Sequence, residues 1–445
     1  MSGVDAVTDS LTYRALLSKA WPLVLANASV PLLGLVDTAV IGNTGTTTDL
    51  GAIAFGSLIF GFVYWTFGFL RMGTTGFIAQ AYGAQDQLEI RAILGRGFLM
   101  ALVLGLSLLL SQQLIGAVSF SLLEGSSEVE AVASEYFFIR IWGAPATLCL
   151  FVVMGVWVGL GESRELLRLQ LLLNGMNIVL DVLFAGVFGW GAQGIAVGTL
   201  IAEVVCTGFG VWRLLRFLGY SQTAFWPWPR VLSGAELRRS VAANTDIMIR
   251  TLLLVYAFAL FTNRAAIYGD VSLAATHVLM QIVAFTAFFL DGYAYVAESL
   301  VGRAIGAKDR QFFNLAVVRT TVLAALTALI LAAVVWGFGE FFIRGLTDIE
   351  EVQQQAVLMI WAVSAYVLLS FPAFQLDGIF IGASATKEMR DASVLSLLVY
   401  LLCVYGAPAD WGLAALWGAM VIFVVARAFA LLLYTSNTLR RAFAA

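Results

Sequence analysis

The sequence places carboxylate and amide side chains inside long apolar stretches, where polar groups are rare. Asp37 follows residues 20–36, which carry no charge. In the stretch NGMNIVLD, Asn174, Asn177 and Asp181 stand at positions i, i+3 and i+7. That spacing puts the three side chains on one face of a helix. If these stretches span a membrane, a lone charge there costs about 3 kcal/mol or more, so the acids should face protein or a water-filled cavity.

Two of these acids, Asp37 and Asp181, are expected at the same depth. Asp181 lies about 16 residues beyond the cytoplasmic start of its predicted helix, and Asp37 lies a similar distance beyond Trp21, with a helix rising about 1.5 Å per residue. Two neighbouring carboxylates in a low dielectric resist double ionisation, so the pair is predicted to bind a proton or a cation. Asn177 and, from the next helix, Thr199 add neutral oxygens, which suit Na⁺ as well as a proton. The alternative for Asp37 is a salt bridge, or an acid that reaches the outer edge of the membrane.

The composition predicts the elements that must position these groups. Of 445 residues, 61% are hydrophobic and 12% are charged, whereas soluble domains carry about 25% charge. Apolar stretches of roughly 20 residues recur along the chain, and a backbone inside a bilayer must form a helix or a closed barrel. The stretches are too long for barrel strands, so we expect an all-α polytopic membrane protein. No basic tract indicates nucleic-acid binding, and the three cysteines are too far apart for a metal or disulfide pattern.

Twelve transmembrane helices are predicted from the apolar stretches. Their expected ranges are 14–42, 50–80, 88–120, 129–160, 165–187, 192–216, 237–263, 272–303, 311–343, 353–383, 389–408 and 411–437. With the N-terminus inside, eighteen of the 25 Lys and Arg residues fall in cytoplasmic segments, and only Arg264 and Arg344 fall in outer loops. Basic residues collect on the cytoplasmic side, so both termini are predicted to be cytoplasmic, with the chain in the cell (inner) membrane.

The two halves of the chain repeat each other. GFIAQAYGAQDQLEIR (76–91) matches SLVGRAIGAKDRQFFN (299–314), and MGVWVGLGESRE (154–165) matches DGIFIGASATKE (377–388), both at an offset of 223. GWGAQGIAVG and ADWGLAALWG form a third, weaker match. We therefore expect two pseudo-symmetric six-helix lobes, 1–216 and 237–445, joined by a cytoplasmic linker at 217–236. Such a duplication places a binding cleft between the lobes. The second copy has apolar residues opposite Asp181 and Thr199, so packing alone does not explain that polar set.

The C-terminal half carries a second polar set in apolar surroundings. Its members either line a cleft or hold the lobe together, and both alternatives stay open. Arg250 is expected to pair with an acid, for which Asp246 at i−4 is the near candidate. The lone His277 is predicted to be a hydrogen-bonded core histidine rather than a proton relay. The whole set consists of Asp246, Arg250, Asp291, Tyr293, Glu298, Gln375 and Asp377.

Taken together, these motifs resemble the multidrug and toxic compound extrusion (MATE) family, and within it the DinF-like branch. The motifs run in order along nearly the whole chain: LVDTAVIGNTG, LRMGTTGFIAQAYGA, NIVLDVLF, WGAQGIAVGT, NTDIMIRT, FLDGYAYVAESLVGRAIGA and FQLDGIFIGA. The resemblance implies twelve helices in two lobes of six. It also implies export of bulky, often cationic or amphipathic compounds by alternating access, driven by inward H⁺ or Na⁺ flow.

The resemblance also assigns residues. The family's N-lobe cation site corresponds to Asp37, Asn177, Asp181 and Thr199, and its helix-bending proline to Pro22. Members of the DinF-like branch are mostly regarded as proton-coupled, but the sodium-type residues are intact here, so both ions remain open. Asn174 is a further candidate for the polar network of the cleft.

The function predicted from these observations is a secondary active multidrug efflux antiporter. It needs no cofactor besides the coupling ion, H⁺ or Na⁺, and it works as a monomer in the lipid bilayer on small drug-like molecules. A lipid or lipid-linked precursor flippase on the same scaffold is the alternative, although it would favour a basic cavity rather than acids. An intramembrane enzyme would need a convergent nucleophile or metal site, which the sequence does not suggest. A channel is separated from a carrier only by saturable, gradient-driven exchange.

Overall fold

The computed structural model describes residues 11–123, 125–220, 225–408 and 411–444, and within these ranges the chain is helical without strands. Short 3-10 and π segments, Ile141–Gly143 and Val182–Val187, interrupt the α-helices. In chain order the α-helices are α1 Tyr13–Ala28, α2 Val30–Thr44, α3 Thr47–Thr66, α4 Phe69–Gly83, α5 Gln87–Leu110, α6 Gln112–Leu122, α7 Ser127–Arg140, α8 Ala144–Leu160, α9 Ser163–Asp181, α10 Gly191–Phe217, α11 Trp228–Val231, α12 Gly234–Ile267, α13 Asp270–Gly306, α14 Arg310–Leu346, α15 Glu350–Leu358, α16 Ile360–Gly382, α17 Thr386–Gly406 and α18 Gly412–Ala444.

Eleven helical segments in the described part of the chain are long and apolar enough to cross a membrane. The remaining predicted helix, 14–42, consists of α1 and α2, which are separated at Ser29 and are each too short to count alone. Pro31 lies in the first turn of α2 and has no backbone N–H to continue the hydrogen-bond ladder, which accounts for the interruption. The prediction of an all-α membrane protein with about twelve spanning helices is confirmed.

The residues cluster into two compact units. One contains 25–78 and 86–241, and the other contains 11–24, 79–85 and 242–444. The first unit has an apolar core in which Phe60 stacks on Phe137, with ring centroids 5.5 Å apart, and Ile41 and Tyr136 are fully buried beside them. The lobe boundaries expected from the sequence, 1–216 and 237–445, stay a prediction.

The internal duplication is visible in how helices touch within each unit. A Cβ placed on Gly155 would lie 2.5 Å from the backbone oxygen of Arg71, and one on Gly378 would lie 2.3 Å from that of Ala294. Both members of the second contact follow the first by the offset of 223. Small residues let helix backbones approach closely in a membrane, where packing rather than the hydrophobic effect joins helices. The repeat has therefore kept a specific backbone contact, as well as a similar sequence.

Helix ends repeat in the same way. Gln85 and Lys308, again 223 residues apart, leave their helices with φ of 57° and 55°. Gly161 and Ser384 do so with φ of 77° and 53°. A residue in this left-handed region commonly closes a helix, and glycine adopts it at least cost. Three non-glycine residues thus adopt the left-handed conformation at matching turns of the two copies, and the predicted pseudo-symmetric architecture is confirmed.

The described end of the predicted linker is docked on its own unit. Arg230 of α11 donates to both carboxylate oxygens of Asp86, at 3.0 and 2.8 Å. Arg96 donates from Nη1 to the backbone oxygen of Arg230 at 2.9 Å. Val231 packs on Gly95, where a Cβ would lie 2.9 Å from Val231 Cγ2. This part of the linker is therefore a packed element at the start of α5.

Candidate functional site

The structure places the carboxyl groups of Asp37 and Asp181 side by side, close enough for each to act on the other. Asp37 lies on α2, and Asp181 is the last residue of α9, where the α-helix passes into the π segment Val182–Val187. Asp181 is fully buried and Asp37 is nearly so, with 8% of its surface exposed. A π segment shifts the direction of side chains within a helix and is frequent at functional sites. The two acids therefore form one buried carboxyl pair, which hereafter we call the acid pair.

Three of the four carboxylate oxygens of the acid pair are buried without a hydrogen-bond donor in the part of the chain that the structure describes. Among the residues that the structure describes, none donates to either carboxylate oxygen of Asp181 or to Oδ1 of Asp37. Buried polar groups are almost always hydrogen-bonded, and two ionised carboxylates offer each other only acceptors. A proton shared between the two groups, or a cation bound by both, satisfies these oxygens. The residues present thus fit a monovalent cation as a transported substrate.

Asn177 and Thr199, the other two residues predicted for the site, are hydrogen-bonded to each other, and Asn177 lies one helical turn before Asp181 on α9. Asn177 donates from Nδ2 to Thr199 Oγ1 at 2.9 Å, and Thr199 donates its hydroxyl to the backbone oxygen of Ile195 at 2.9 Å. Asn177 Oδ1 is buried and has no donor within the described ranges. The amide is held through its nitrogen, so its oxygen remains available as a neutral ligand.

Asn174, on the same face of α9, hydrogen-bonds to Ser29, the residue that separates α1 from α2. Its Nδ2 donates to the backbone oxygen of Ser29 at 3.0 Å and to Ser29 Oγ at 2.8 Å. Its Oδ1 accepts from Gln170 Nε2 at 3.2 Å. Pro22, in contrast, lies inside the uninterrupted helix α1. Asn174 thus connects α9, which carries Asp181, to the start of α2, which carries Asp37. The bending role of Pro22 stays a prediction.

Asp49 positions the helix that supplies Thr199. Its Oδ2 accepts the backbone N–H of Thr46 at 2.9 Å and completes a capping box at the start of α3. Its Oδ1 accepts the backbone N–H of Ala192, in the first turn of α10, at 3.0 Å. Carboxylates stabilise helix N-termini, because the first N–H groups have no partner within the helix. One acid therefore connects α3 and α10 beside the site.

A buried ion pair near the site was not expected from the sequence. Arg140 of α7 lies 3.7 Å from Glu203 of α10, measured from Nη2 to Oε1. The Arg140 guanidinium also lies over the ring of Phe60, 4.7 Å from its centroid. It is close enough to Asp37 and Asp181 to act on both electrostatically. Among the described residues, the acid pair, Glu203 and Arg140 therefore form a buried cluster of three acids and one arginine.

A sequence signal for this ion pair exists. Glu203 is a charged residue inside the apolar stretch 192–216, one helical turn after Thr199. Arg140 ends the apolar stretch YFFIR in the predicted helix 129–160. Each charge in a spanning stretch needs a partner, so two unassigned charges of opposite sign were the available clue.

In the C-terminal unit, the prediction that Arg250 pairs with Asp246 is wrong. Arg250 and Arg427 both donate to Asp377 Oδ2. Asp246 instead accepts from Arg390 Nη1 at 2.6 Å. Spacing along one helix indicates only neighbours on that helix, whereas Asp377 and Arg427 come from α16 and α18. Arg427 was not among the candidates, although it too is a charge in an apolar stretch.

Two other members of the C-terminal set connect neighbouring helices. Thr327 donates to the hydroxyl of Tyr293 at 3.0 Å, which joins α14 to α13. Gln375 donates from Nε2 to Thr320 Oγ1 at 2.7 Å, which joins α16 to α14. These contacts are of the kind that holds a helical unit together. A role in lining a cleft stays a prediction.

The remaining titratable candidates all lie on α13. Glu298 is buried, with 1% of its surface exposed, and Asp291 is half-buried. His277 is exposed, with its Nε2 3.4 Å from Gln281 Nε2, so the predicted core position of this histidine is wrong. A lone polar residue has no periodicity of its own, and its face on the helix follows only from how that helix packs.

Among the described residues, no three His, Cys, Asp or Glu side chains converge in a way that could hold a metal ion. The three cysteines are free, and Cys149 and Cys206 are buried. A cation at the acid pair would therefore be held by two carboxylates with neutral oxygens. This arrangement suits a transported monovalent cation better than a resident divalent metal.

Comparison with known proteins defines the class of protein. The MatE family model matches residues 22–183 and 247–405, which is more than half of the chain and falls on both halves of the repeat. The chain therefore belongs to the MatE family of membrane transporters. It is a multi-pass membrane transporter and not an enzyme, as the sequence motifs predicted.

Individual relatives agree with this assignment. DNA damage-inducible protein F of Escherichia coli (strain K12) is 35% identical over 426 residues, covering 94% of this chain and 91% of that protein. A probable multidrug resistance protein, NorM, of Synechococcus sp. is 24% identical over 423 residues, covering 92% and 89%. A MOP superfamily transporter from Pyrococcus furiosus has the same fold, with a TM-score of 0.85 at 19% identity over 96% of both chains. The predicted DinF-like resemblance is confirmed.

Proposed function

We propose that this protein exports bulky amphipathic or cationic compounds in exchange for protons that bind at Asp37 and Asp181. The single observation that carries the proposal is the buried acid pair in the first unit, three of whose four oxygens have no donor within the described ranges. A permanently buried pair of this kind is unfavourable unless it binds a positive ion. A proton or cation that binds to the pair and leaves it in each transport cycle would explain why the pair is buried.

Coupling to the helix shape follows from the position of the break. Asp37 lies on α2, whose start at Ser29 is held by Asn174 of the helix that carries Asp181. Protonation of the acid pair removes a charge and changes the hydrogen bonds between α2 and α9. That change favours a more bent first helix, which narrows the drug cavity of the N-terminal lobe and releases substrate outward. The carrier then returns, loses the proton to the cytoplasm and binds new substrate.

The driving force is sufficient for export. One proton moving inward across 100 mV releases about 2.3 kcal/mol, and a gradient of one pH unit adds about 1.4 kcal/mol. Their sum of about 3.7 kcal/mol supports a gradient of a few hundredfold for a neutral substrate. When a monovalent cation is exchanged one for one, the voltage terms cancel and the pH difference alone drives export.

Na⁺ is the second candidate for the coupling ion, and one observation favours it. Asn177 Oδ1 has no donor within the described ranges and lies on the same helix as Asp181, one turn before it. A carbonyl oxygen beside two carboxylates is a ligand set that Na⁺ accepts. A proton needs only the carboxylates, so Asn177→Ala separates the two: it should weaken Na⁺ coupling and leave H⁺ coupling nearly unchanged.

The substrate class and the membrane are part of the same proposal. Relatives of the chain include a probable multidrug resistance protein, which supports drug-like substrates. The basic residues at the ends of the predicted helices support a chain in the inner membrane with both termini in the cytoplasm.

The test is efflux from proteoliposomes that contain a fluorescent lipophilic cation, with an imposed H⁺ gradient, an imposed Na⁺ gradient or neither. Wild-type protein should accelerate efflux under the H⁺ gradient and saturate with substrate. Asp37→Asn should abolish gradient-driven efflux, because a neutral amide cannot exchange a proton. Asp348→Asn, the same substitution at an exposed acid, is the control and should keep the wild-type rate. A normal rate for Asp37→Asn would overturn the proposed coupling.

A further inference from the structure

A groove in the first unit combines two arginines with several aromatic side chains. It lies where the end of α8, the start of α9 and the last third of α10 meet, and its volume is about 360 Å³. That volume falls within the roughly 300–1,000 Å³ of small-molecule sites. Its charged side chains are Glu165, Arg168 and Arg213. None of these residues takes part in the site around Asp37 and Asp181.

The groove carries one unit of positive charge. Glu165 accepts from Arg213 Nη2 at 2.8 Å and Nε at 3.2 Å, and from Arg168 Nη1 at 2.5 Å. Two guanidinium groups around one carboxylate leave a net charge of +1. Each guanidinium has five N–H groups, so both keep donors for a further anion. The side chains of Arg168 and Arg213 are 62% and 39% exposed, which leaves those donors within reach from outside the protein.

The aromatic side chains point to a membrane interface. Trp212 and Phe209 of α10 are both exposed, with ring centroids 5.7 Å apart. The guanidinium of Arg216 lies 5.7 Å from the Trp212 ring centroid. Tryptophan is enriched at the level of the lipid headgroups, where its apolar ring and polar N–H are both satisfied. In the orientation predicted from the basic residues, this end of the unit is the cytoplasmic one.

The internal repeat shows that the scaffold does not need this charge. Glu165 corresponds to Glu388 at the offset of 223, but Arg168 corresponds to Asp391. In the second copy Asp391 accepts from its neighbour Arg390 at 2.7 Å. This one position therefore carries opposite charges in the two copies, so helix packing alone does not account for Arg168.

From these observations we infer that the groove binds the phosphodiester of an anionic phospholipid of the surrounding bilayer. Arg168 and Arg213 donate to the phosphate oxygens, and Glu165 holds both guanidinium groups in place. Trp212 and Phe209 lie beside the glycerol and the upper acyl chain. A lipid with a net charge of −1 neutralises the groove, whereas a zwitterionic lipid brings a second positive charge. Basic pockets between transmembrane helices are known to bind anionic headgroups in this way.

The experiment is native mass spectrometry of the purified full chain with added phosphatidylglycerol or phosphatidylcholine of identical acyl chains. Wild-type protein should bind one phosphatidylglycerol more tightly than phosphatidylcholine. Because each basic residue near a membrane surface contributes about fivefold in affinity, Arg168→Gln should weaken phosphatidylglycerol binding about fivefold and Arg168→Gln/Arg213→Gln about 25-fold. Phosphatidylcholine binding should change less than twofold. Because the Arg168 side chain is mostly exposed, the Arg168→Gln variant should fold. Its melting temperature in detergent checks this.

A matched control is Arg310→Gln/Arg440→Gln, which removes the same charge from two exposed arginines on the predicted cytoplasmic side. It should keep phosphatidylglycerol binding within twofold of wild type. Equal binding of the two lipids by wild-type protein would overturn the inference, as would an equal loss in the control. Displacement of the bound lipid by millimolar inorganic phosphate would show that the groove recognises free phosphate, and would overturn it too.

Discussion

Gly198 of α10 lies directly against the carboxyl group of Asp181: a Cβ on Gly198 would be 2.5 Å from Oδ1 of Asp181. The absence of a side chain at this position makes room for the buried acid. Few real Cβ atoms approach an oxygen so closely, so any other residue must displace Asp181 or its helix. The contact makes Gly198 part of the proposed cation site, although glycine has no side-chain chemistry of its own.

Gly198→Ala should therefore impair coupled transport. Forcing a methyl group into a filled site costs about 1–3 kcal/mol, so we expect H⁺-driven efflux to fall roughly fivefold or more. The control is Gly208→Ala on the same helix, where nothing lies within 4 Å of the added carbon. Proteoliposome efflux of both variants checks this. Similar rates for the two variants would show that Asp181 tolerates displacement and that its position is not important for coupling.

Asn174→Ala should slow transport without changing its ion dependence. The substitution removes two hydrogen bonds to Ser29, each contributing about 1 kcal/mol, and leaves the acid pair with its own neighbours. We expect the maximal efflux rate to fall about fivefold or more while the proton concentration for half-maximal rate stays within twofold. Efflux measured over a series of external pH values gives both quantities. A shift of the pH profile with an unchanged maximal rate would place Asn174 in the ion site instead.

Removal of one partner of the Arg140–Glu203 ion pair should destabilise the protein more than removal of both. A buried charge that loses its partner costs about 3–5 kcal/mol, whereas a neutral pair of similar volume is often tolerated. Glu203→Gln and Arg140→Gln should each lower the melting temperature in detergent, and the double variant should recover part of the loss. Additive losses in this double-mutant cycle would mean that the two groups do not stabilise each other. Efflux by the double variant then tests whether Arg140 also acts on Asp37.

The docked linker should be stable across the physiological pH range. The backbone N–H of Glu89, and then the guanidinium of Arg230, hold the pKa of Asp86 below its ordinary value of 3.8. A carboxyl group with a depressed pKa stabilises the folded form above that ordinary value, and the contribution is lost as the pH falls through the lower, folded-state pKa. Docking of residues 225–231 should therefore be constant from about pH 5 to 8 and weaken only below about pH 4.

An environment-sensitive fluorophore on a cysteine introduced by Ser233→Cys reports on this docking. Cys403→Ala removes the one partly exposed native cysteine, and the other two are buried. In the labelled protein that keeps Asp86, the emission should stay constant down to about pH 4, whereas addition of Asp86→Asn should give the undocked signal already at pH 7. An unchanged signal in Asp86→Asn would mean that Arg96 and Val231 hold the linker without the ion pair.

The prediction that Asp37 and Asp181 could meet needed only local information. Each acid has a known depth, because an apolar helix has a fixed rise and the membrane aligns helix starts. The same holds for Asn177 and Thr199, which lie within one or two turns of depth from Asp181. The membrane thus restricts helix positions along its normal so strongly that sequence spacing indicates which groups can lie level with each other.

By itself the sequence determined the number of helices, the internal repeat, the family and the level of the acid pair. These properties follow from the length of apolar stretches, their order and the positions of charges along one dimension. Only the tertiary structure decided the pairing of Arg140 with Glu203 and of Asp377 with two arginines, the exposure of His277, and the space that Gly198 leaves for Asp181. Each depends on how far every helix is rotated about its own axis and which face meets which neighbour. In a uniformly apolar helix few polar residues mark a face, so side-chain packing alone fixes that rotation.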